Sequence, residues 1–170
     1  LQAGYLNKIV DTNIKSQKVL IIGAGGVSPS VILALQKSKI KEICLVNRTY
    51  EKAVFLKKMF QSIKILKWSE LGNAIKDFDI IINATSLGLK GGNDFNFFFE
   101  NFKESMIYID TIYNPMETKM IKDLKSKGIK TFNGLDMLIY QGQKSFYLWS
   151  HINPDIDQDL IDLLIEKIKC

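Results

Sequence analysis

Residues 18–30 read Lys-Val-Leu-Ile-Ile-Gly-Ala-Gly-Gly-Val-Ser-Pro-Ser, and this stretch decides the fold. Lys18–Gly23 is a short run, apolar after its lysine and ending in glycine, as expected of a strand buried on both faces. Pro29–Lys37 then spaces its apolar residues by three or four, the period of a helix. Pro29 is tolerated there because first-turn N–H groups lack intrahelical partners. Between the two sits Gly23-Ala24-Gly25-Gly26-Val27-Ser28. A bound pyrophosphate needs a tight turn and backbone N–H groups that no Cβ shields. Gly23 suits the turn and Gly25 the close approach, and the helix N-terminus adds partial positive charge. Ser28 stands where the general fingerprint has its third glycine, and a small side chain still permits close helix-to-strand packing. An ordinary strand-to-helix turn is the plainer alternative. Its place after a strand and before a helix is the context a phosphate-binding motif requires, and dinucleotide binding is the preferred reading.

The same alternation continues outward. Glu42–Asn47, Ile63–Trp68, Asp79–Ala84, Met106–Thr111 and Lys130–Phe132 read as further strands. Tyr50–Phe60, Ser69–Lys76, Met116–Lys127 and Leu135–Trp149 have helical spacing. The expected architecture is therefore α/β: a Rossmann-like, doubly wound, mostly parallel six-stranded sheet with helices on both faces. A final helix within residues 151–170 is expected to start from Asn153 as cap with Pro154 in the first turn, and to carry Ile156, Leu160, Leu164 and Ile168 on one apolar face. Leu1–Val10 also has a helical pattern. Phe95, Phe97, Phe98, Phe99 and Phe102 are expected to pack a loop against the sheet, with a partner surface as the lesser alternative.

Composition narrows the class. The 170 residues are 46% hydrophobic and 24% charged, close to the globular average, so disordered and fibrous classes are excluded. No apolar run approaches the roughly 20 residues of a membrane helix. The net charge of +5 hints at nucleic acid, but all of the 23 basic residues except Arg48 are lysines, spread along the whole length. A partner that is neither nucleic acid nor membrane is expected. Arg48 is the only arginine and His151, read as a solvated residue near a helix end, the only histidine. Cys44 and Cys170 make no disulfide framework or metal spacing, so no metal is expected and the reducing cytoplasm is the default location.

Which dinucleotide binds is read about 20 residues beyond the glycine turn, at the end of the second strand. An acidic residue there would hydrogen-bond the ribose of NAD. This chain has Asn47-Arg48-Thr49, with Lys52 one helical turn later. A guanidinium, a hydroxyl and an ammonium converging on one point suit the 2′-phosphate of NADP.

Five motifs in order and spacing now carry a resemblance: Gly23-Ala-Gly-Gly, Asn47-Arg-Thr, Asn83-Ala-Thr-Ser, Tyr113-Asn-Pro and Gly134-Leu-Asp-Met-Leu-Ile-Tyr-Gln. From about Val19 to Trp149 the chain resembles the shikimate dehydrogenase family. The resemblance implies reversible, NADP-dependent reduction of 3-dehydroshikimate to shikimate, in the pathway to chorismate and the aromatic amino acids. It implies that Gly23, Ala24, Gly25, Gly26 and Val27 hold the pyrophosphate, and that Asn47, Arg48, Thr49 and Lys52 hold the adenosine 2′-phosphate. Asn83, Ala84, Thr85 and Ser86 would lie along the nicotinamide half, Gly134 would meet its amide, and Met137 would pack beside the ring. Tyr113 and Gln141 would face the substrate. The family's paired-serine motif and its Lys/Asp proton-transfer pair are not found in the chain, so no catalytic acid is assigned in it. Residues 1–17 are expected to lead in from a missing N-terminal substrate domain, 18–150 to form the NADP-binding domain, and 151–170 the C-terminal helix. A homodimer is a further expectation. The other readings are a quinate/shikimate dehydrogenase paralogue, against whose NAD-using version Arg48 counts, and a non-catalytic dinucleotide-binding domain.

Overall fold

The computed structural model describes residues 14–96 and 99–169. The helical pattern of Leu1–Val10, most of the 1–17 lead-in, Phe97, Phe98 and Cys170 lie outside them. Ile14–Ser16 is a 3₁₀ turn.

Six strands form one sheet: β1 (Lys18–Ile22), β2 (Glu42–Val46), β3 (Lys64–Leu66), β4 (Ile80–Asn83), β5 (Ile107–Asp110) and β6 (Lys130–Phe132), in the order β3-β2-β1-β4-β5-β6. All five neighbouring pairs are parallel, beyond the mostly parallel sheet expected. The order reverses between β1 and β4, which places the crevice for a ligand at their carboxyl ends. Alternation of side chains across the pleat splits the core in two. Val19, Ile21, Ile43, Leu45, Ile80, Ile82 and Ile109 point to one side, against α1 (Ser28–Lys37) and α2 (Tyr50–Met59). Leu20, Ile22, Cys44, Val46, Ile81 and Tyr108 point to the other, against α3 (Leu71–Ala74) and α4 (Lys119–Ser126). Helices thus cover both faces. Tyr140 of α5 (Leu135–Ser150) joins the first side, and α6 (Gln158–Lys169) closes the chain. No helix among the described residues is long and apolar enough to cross a membrane.

Four expectations are corrected. The helix expected over Ser69–Lys76 is broken into 3₁₀ turns on either side of α3, with Gly72 in its single α turn. Met116 and Glu117 lie outside α4 because the Thr118 side chain accepts from Ile121 N–H and sets the helix start there. The strand expected over Ile63–Trp68 keeps only β3. The last helix starts not at Asn153 but after Asp157, whose side chain accepts Leu160 N–H at 2.9 Å, so Ile156 precedes it. Gln143 Nε2 donates to Pro154 O at 2.8 Å and ties that stretch to α5. Within α6, Leu160 is exposed, while Leu164 and Ile168 are half-buried.

The described residues between β4 and β5 form no helix. Phenylalanines cover the sheet instead: Phe95 and Phe99 are buried, Phe99 stands edge-on to Tyr108 at 6.0 Å, and Phe102 packs against the same cluster. The expected aromatic loop is present at these three positions. His151 is exposed and ends α5 in a left-handed conformation.

Candidate active site

The glycine turn is shaped by its neighbours. Gly23 has φ +111°, and a Cβ there would lie 2.7 Å from the carbonyl oxygen of Ala84 at the end of β4. Both facts demand glycine. Gly25 and Gly26 are exposed, with nothing within 4 Å of a Cβ at Gly26, so the turn leaves open space where a ligand backbone would run. Ser28 is fully buried, and its hydroxyl donates to Gly23 O at 2.8 Å, tying the first turn of α1 back to the end of β1. Ala24 and Val27 are half-buried between these points.

Asn47 binds two turns together. Its Oδ1 accepts Ala24 N–H at 3.0 Å, and its Nδ2 donates to Thr49 O at 2.8 Å. The side chain expected to touch the 2′-phosphate is therefore engaged in fixing the glycine turn beside the residues that follow β2. Arg48, Thr49 and Lys52 are exposed there, with Thr49 preceding α2 and its hydroxyl making no cap hydrogen bond. Neither Arg48 nor Lys52 forms an ion pair with a described residue. Two exposed cations next to the glycine turn make an anion-receptive corner.

The ends of β4 and β5 hold a network that the sequence reading missed. Asn83 and Asp110 are register partners and both are fully buried. Asn83 Nδ2 donates to Asp110 Oδ1 at 3.0 Å and to Leu87 O at 3.1 Å, while its Oδ1 accepts Thr85 N–H and the Thr85 hydroxyl. Its amide is saturated, so Asn83 shapes the turn rather than offering a group to a ligand; Thr85 is half-buried and Ser86 exposed beyond it, and Ala84 is buried. Asp110 Oδ1 also accepts Ile112 N–H at 3.0 Å, and Oδ2 accepts the hydroxyls of Thr118 at 2.9 Å and Tyr108 at 3.3 Å. A signal existed in the sequence: an acidic residue closing the apolar run Met106–Ile109, with a threonine eight residues on.

Burial pushes the Asp110 carboxyl up to about 6, against the four donated hydrogen bonds that pull it down. Burial, and then the neighbouring carboxylate, hold the Tyr108 phenol well above its ordinary value. Because the folded value for Asp110 exceeds the unfolded one near 4, its stabilising contribution is whole below about pH 4 and is lost as pH rises through 6. The loss is about 3 kcal/mol for a shift of this size. Denaturant titration of wild type and Asp110→Asn at several pH values measures it. The stability of wild type relative to the variant is expected to fall between pH 4 and 7, and a flat difference would show an ordinary carboxyl.

Beyond β5, Tyr113 is 38% exposed, so its ring is available at the rim. Its loop is tied on both sides: Lys90 N–H donates to Asn114 O at 3.2 Å, and Gly134 N–H donates to Ile112 O at 2.8 Å. Asn133 Nδ2 donates to Met116 O, and its Oδ1 accepts Leu135 N–H. Gly134 is buried; a Cβ there would lie 2.1 Å from Thr111 O, so the start of α5 crosses the end of β5 backbone against backbone. Met137, half-buried, and Gln141, exposed, follow on the same face of α5 at three and seven residues from Gly134. No hydrogen bond joins Tyr113 to Gln141. No cluster of three or more metal-ligating side chains occurs among the described residues.

Comparison with known proteins matches this chain to two family models. Residues 5–91 match shikimate / quinate 5-dehydrogenase, and residues 134–159 match the shikimate 5′-dehydrogenase C-terminal domain. A shikimate dehydrogenase (NADP(+)) of Pelagibacter ubique is 47% identical over 154 residues, which is 91% of this chain and 57% of that protein. One of Maridesulfovibrio salexigens is 40% identical, over 89% of this chain and 55% of its own length. The chain thus spans about half the length of the curated relatives it matches. Among solved structures, a shikimate dehydrogenase in complex with NADP+ superposes with a TM-score of 0.82 at 33% identity, over 98% of this chain and 59% of that one. The Thermus thermophilus enzyme in complex with NADP(H) and shikimate gives 0.79 at 26%, over 98% and 59%.

Proposed function

Since the chain belongs to the shikimate / quinate 5-dehydrogenase family, we propose that it is the cofactor-binding part of an NADP-dependent shikimate dehydrogenase, which interconverts 3-dehydroshikimate and shikimate. The observation that carries the cofactor choice is the corner at Arg48: an exposed guanidinium, with Lys52 beyond it and no described carboxylate paired to either, held next to the glycine turn by Asn47.

The residues fit such a cofactor. Gly25 and Gly26 leave open the approach a pyrophosphate needs, and the exposed cations stand where a 2′-phosphate adds charge. Thr85, Ser86, Gly134 and Met137 line the remaining stretch of rim, with Ala84 and Asn83 holding its shape. NADPH, when bound, supplies the hydride for the keto group. Tyr113 and Gln141 offer a phenol and an amide, which hydrogen-bond and orient a hydroxylated acid. We place the proton donor outside these residues: Asp110 is buried among its four donors, where no substrate atom reaches it. A cytoplasmic location belongs to the same proposal and is supported by Cys44, a buried free thiol. So does pairing of two copies, for which exposed Leu33, Phe55 and Met59 offer apolar surface.

Arg48→Ala tests the proposal. Loss of a charge-assisted contact costs about 1.5–3 kcal/mol, so NADPH affinity is expected to fall roughly ten- to a hundredfold. NADH affinity is expected to stay the same. Fluorescence titration of both cofactors into both proteins decides it, and equal losses for the two would overturn the 2′-phosphate assignment.

A further inference from the structure

The Asp110 carboxylate joins three segments that leave the sheet in different directions. Through Asn83 it holds the turn after β4, and through Ile112 N–H it holds the loop that carries Tyr113. Through the Thr118 hydroxyl, which also caps α4, it holds the far end of that loop. Asn83, Tyr108 and Thr118 are each at most 1% exposed, so water cannot replace any of these partners. The turn after β4 is, on the function proposed above, a wall of the nicotinamide site, and the loop after β5 presents Tyr113 to the substrate. A single buried group thus sets the distance between the two.

We propose that Asp110 is a positioning residue for hydride transfer, its buried carboxylate holding the Asn83–Leu87 turn and the Ile112–Asn114 loop at the separation that brings nicotinamide and substrate together. It touches neither ligand. Misplacement of the reacting groups by about 1 Å costs up to a hundredfold in rate, whereas binding at the distant adenosine end is not altered. The proposal rests on the cofactor reading, and adenosine 2′,5′-bisphosphate separates the two, because it carries the 2′-phosphate and lacks the nicotinamide.

The experiment uses the full-length enzyme and measures kcat together with the inhibition constant of adenosine 2′,5′-bisphosphate against NADPH. Asp110→Ala leaves one of the two Asn83 Nδ2 hydrogens and Ile112 N–H without an acceptor, while Asn83 keeps Leu87 O. It is expected to lower kcat tenfold or more and to leave the inhibition constant within twofold. Asp110→Asn keeps the oxygen facing Asn83 and Ile112 and turns an NH₂ toward two hydroxyls that can accept, so kcat is expected to return to within about threefold of wild type. If Asp110→Ala does not fold, Thr118→Val, which removes one donor and keeps the shape, is expected to lower kcat about threefold with the inhibition constant unchanged. Unchanged kcat in the alanine variant, or in the valine variant where that is the one measured, would overturn the proposal. So would kcat and inhibitor binding weakening in proportion. Failure of the bisphosphate to compete with NADPH in wild type would instead overturn the cofactor reading.

Discussion

Assayed alone, the 170-residue chain is expected to bind NADPH and to turn over shikimate at less than about a hundredth of the full-length rate. On the function proposed above, the cofactor elements are built by this chain itself: the Gly23 turn packed on Ala84, the Asn47 bridge, and Arg48 with Lys52. Reduction of the keto group leaves an alkoxide that must take a proton in or near the transition state. A placed acid contributes about 10²–10⁴-fold to such a step, and orientation of the two reactants contributes more. On the same reading, Tyr113 is the residue of this chain that presents a phenolic hydroxyl to the substrate. Following NADPH absorbance with the purified chain, and then with the full-length protein, is the measurement. A rate for the chain near that of the whole enzyme would put the acid among these residues, and Tyr113→Phe would be the next variant to make.

Gly134→Ala is expected to be the most destabilising single methyl in the rim. Its Cβ would sit 2.1 Å from Thr111 O and 2.5 Å from the carbonyl carbon, both backbone atoms that no rotamer change can move aside. Overpacking of this kind costs about 3 kcal/mol, the upper end of the usual range. For a chain of this size that is a drop in Tm of roughly 6–12 °C. Gly142→Ala is the internal control. It lies on an exposed turn of the same helix with nothing within 4 Å of a Cβ, and alanine there is expected to stabilise by up to about 1 kcal/mol. Thermal melts of the two variants with opposite signs would establish that backbone crossing, rather than helix propensity, requires glycine at 134. Equal melts for wild type and Gly134→Ala would show that the crossing can open. A ligand contact at Gly134 is not needed to explain that residue.

The sheet was legible because each strand is written in a local code. Runs such as Val19–Ile22 and Ile80–Ile82 are apolar at every position, which is what burial on both faces requires, and the glycine turn marks where the first strand meets its helix. Asp110 was not legible as a site residue, since its meaning depends on register with Asn83, 27 residues away, and on Thr118 folding back over it. Asn47 and Asn83, expected to touch the cofactor, stand at the ends of β2 and β4 with their amides spent on backbone and side-chain partners within the fold. A motif states where a residue stands, and only geometry states which of its hydrogen bonds remain available. The start of α6 shows the same limit at short range. Asn153, Asp155 and Asp157 are all good helix caps, and the tie from Gln143 to Pro154 O, between two helices, selects the last of them.

The two outer strands of the sheet, β3 and β6, are only three residues long, and each opens with an exposed lysine, Lys64 and Lys130. An edge that short exposes few unpaired backbone groups, and a charged side chain at its mouth repels an identical edge brought alongside. Lys64 is further anchored to Glu42 on the neighbouring strand at 2.7 Å. Both edges are thereby poor templates for lengthening: continuation of the ladder into a second copy, or fibrous stacking, is disfavoured at either one. Among the described residues, the side chains of helices and loops are left as the more favourable surface for contact between copies.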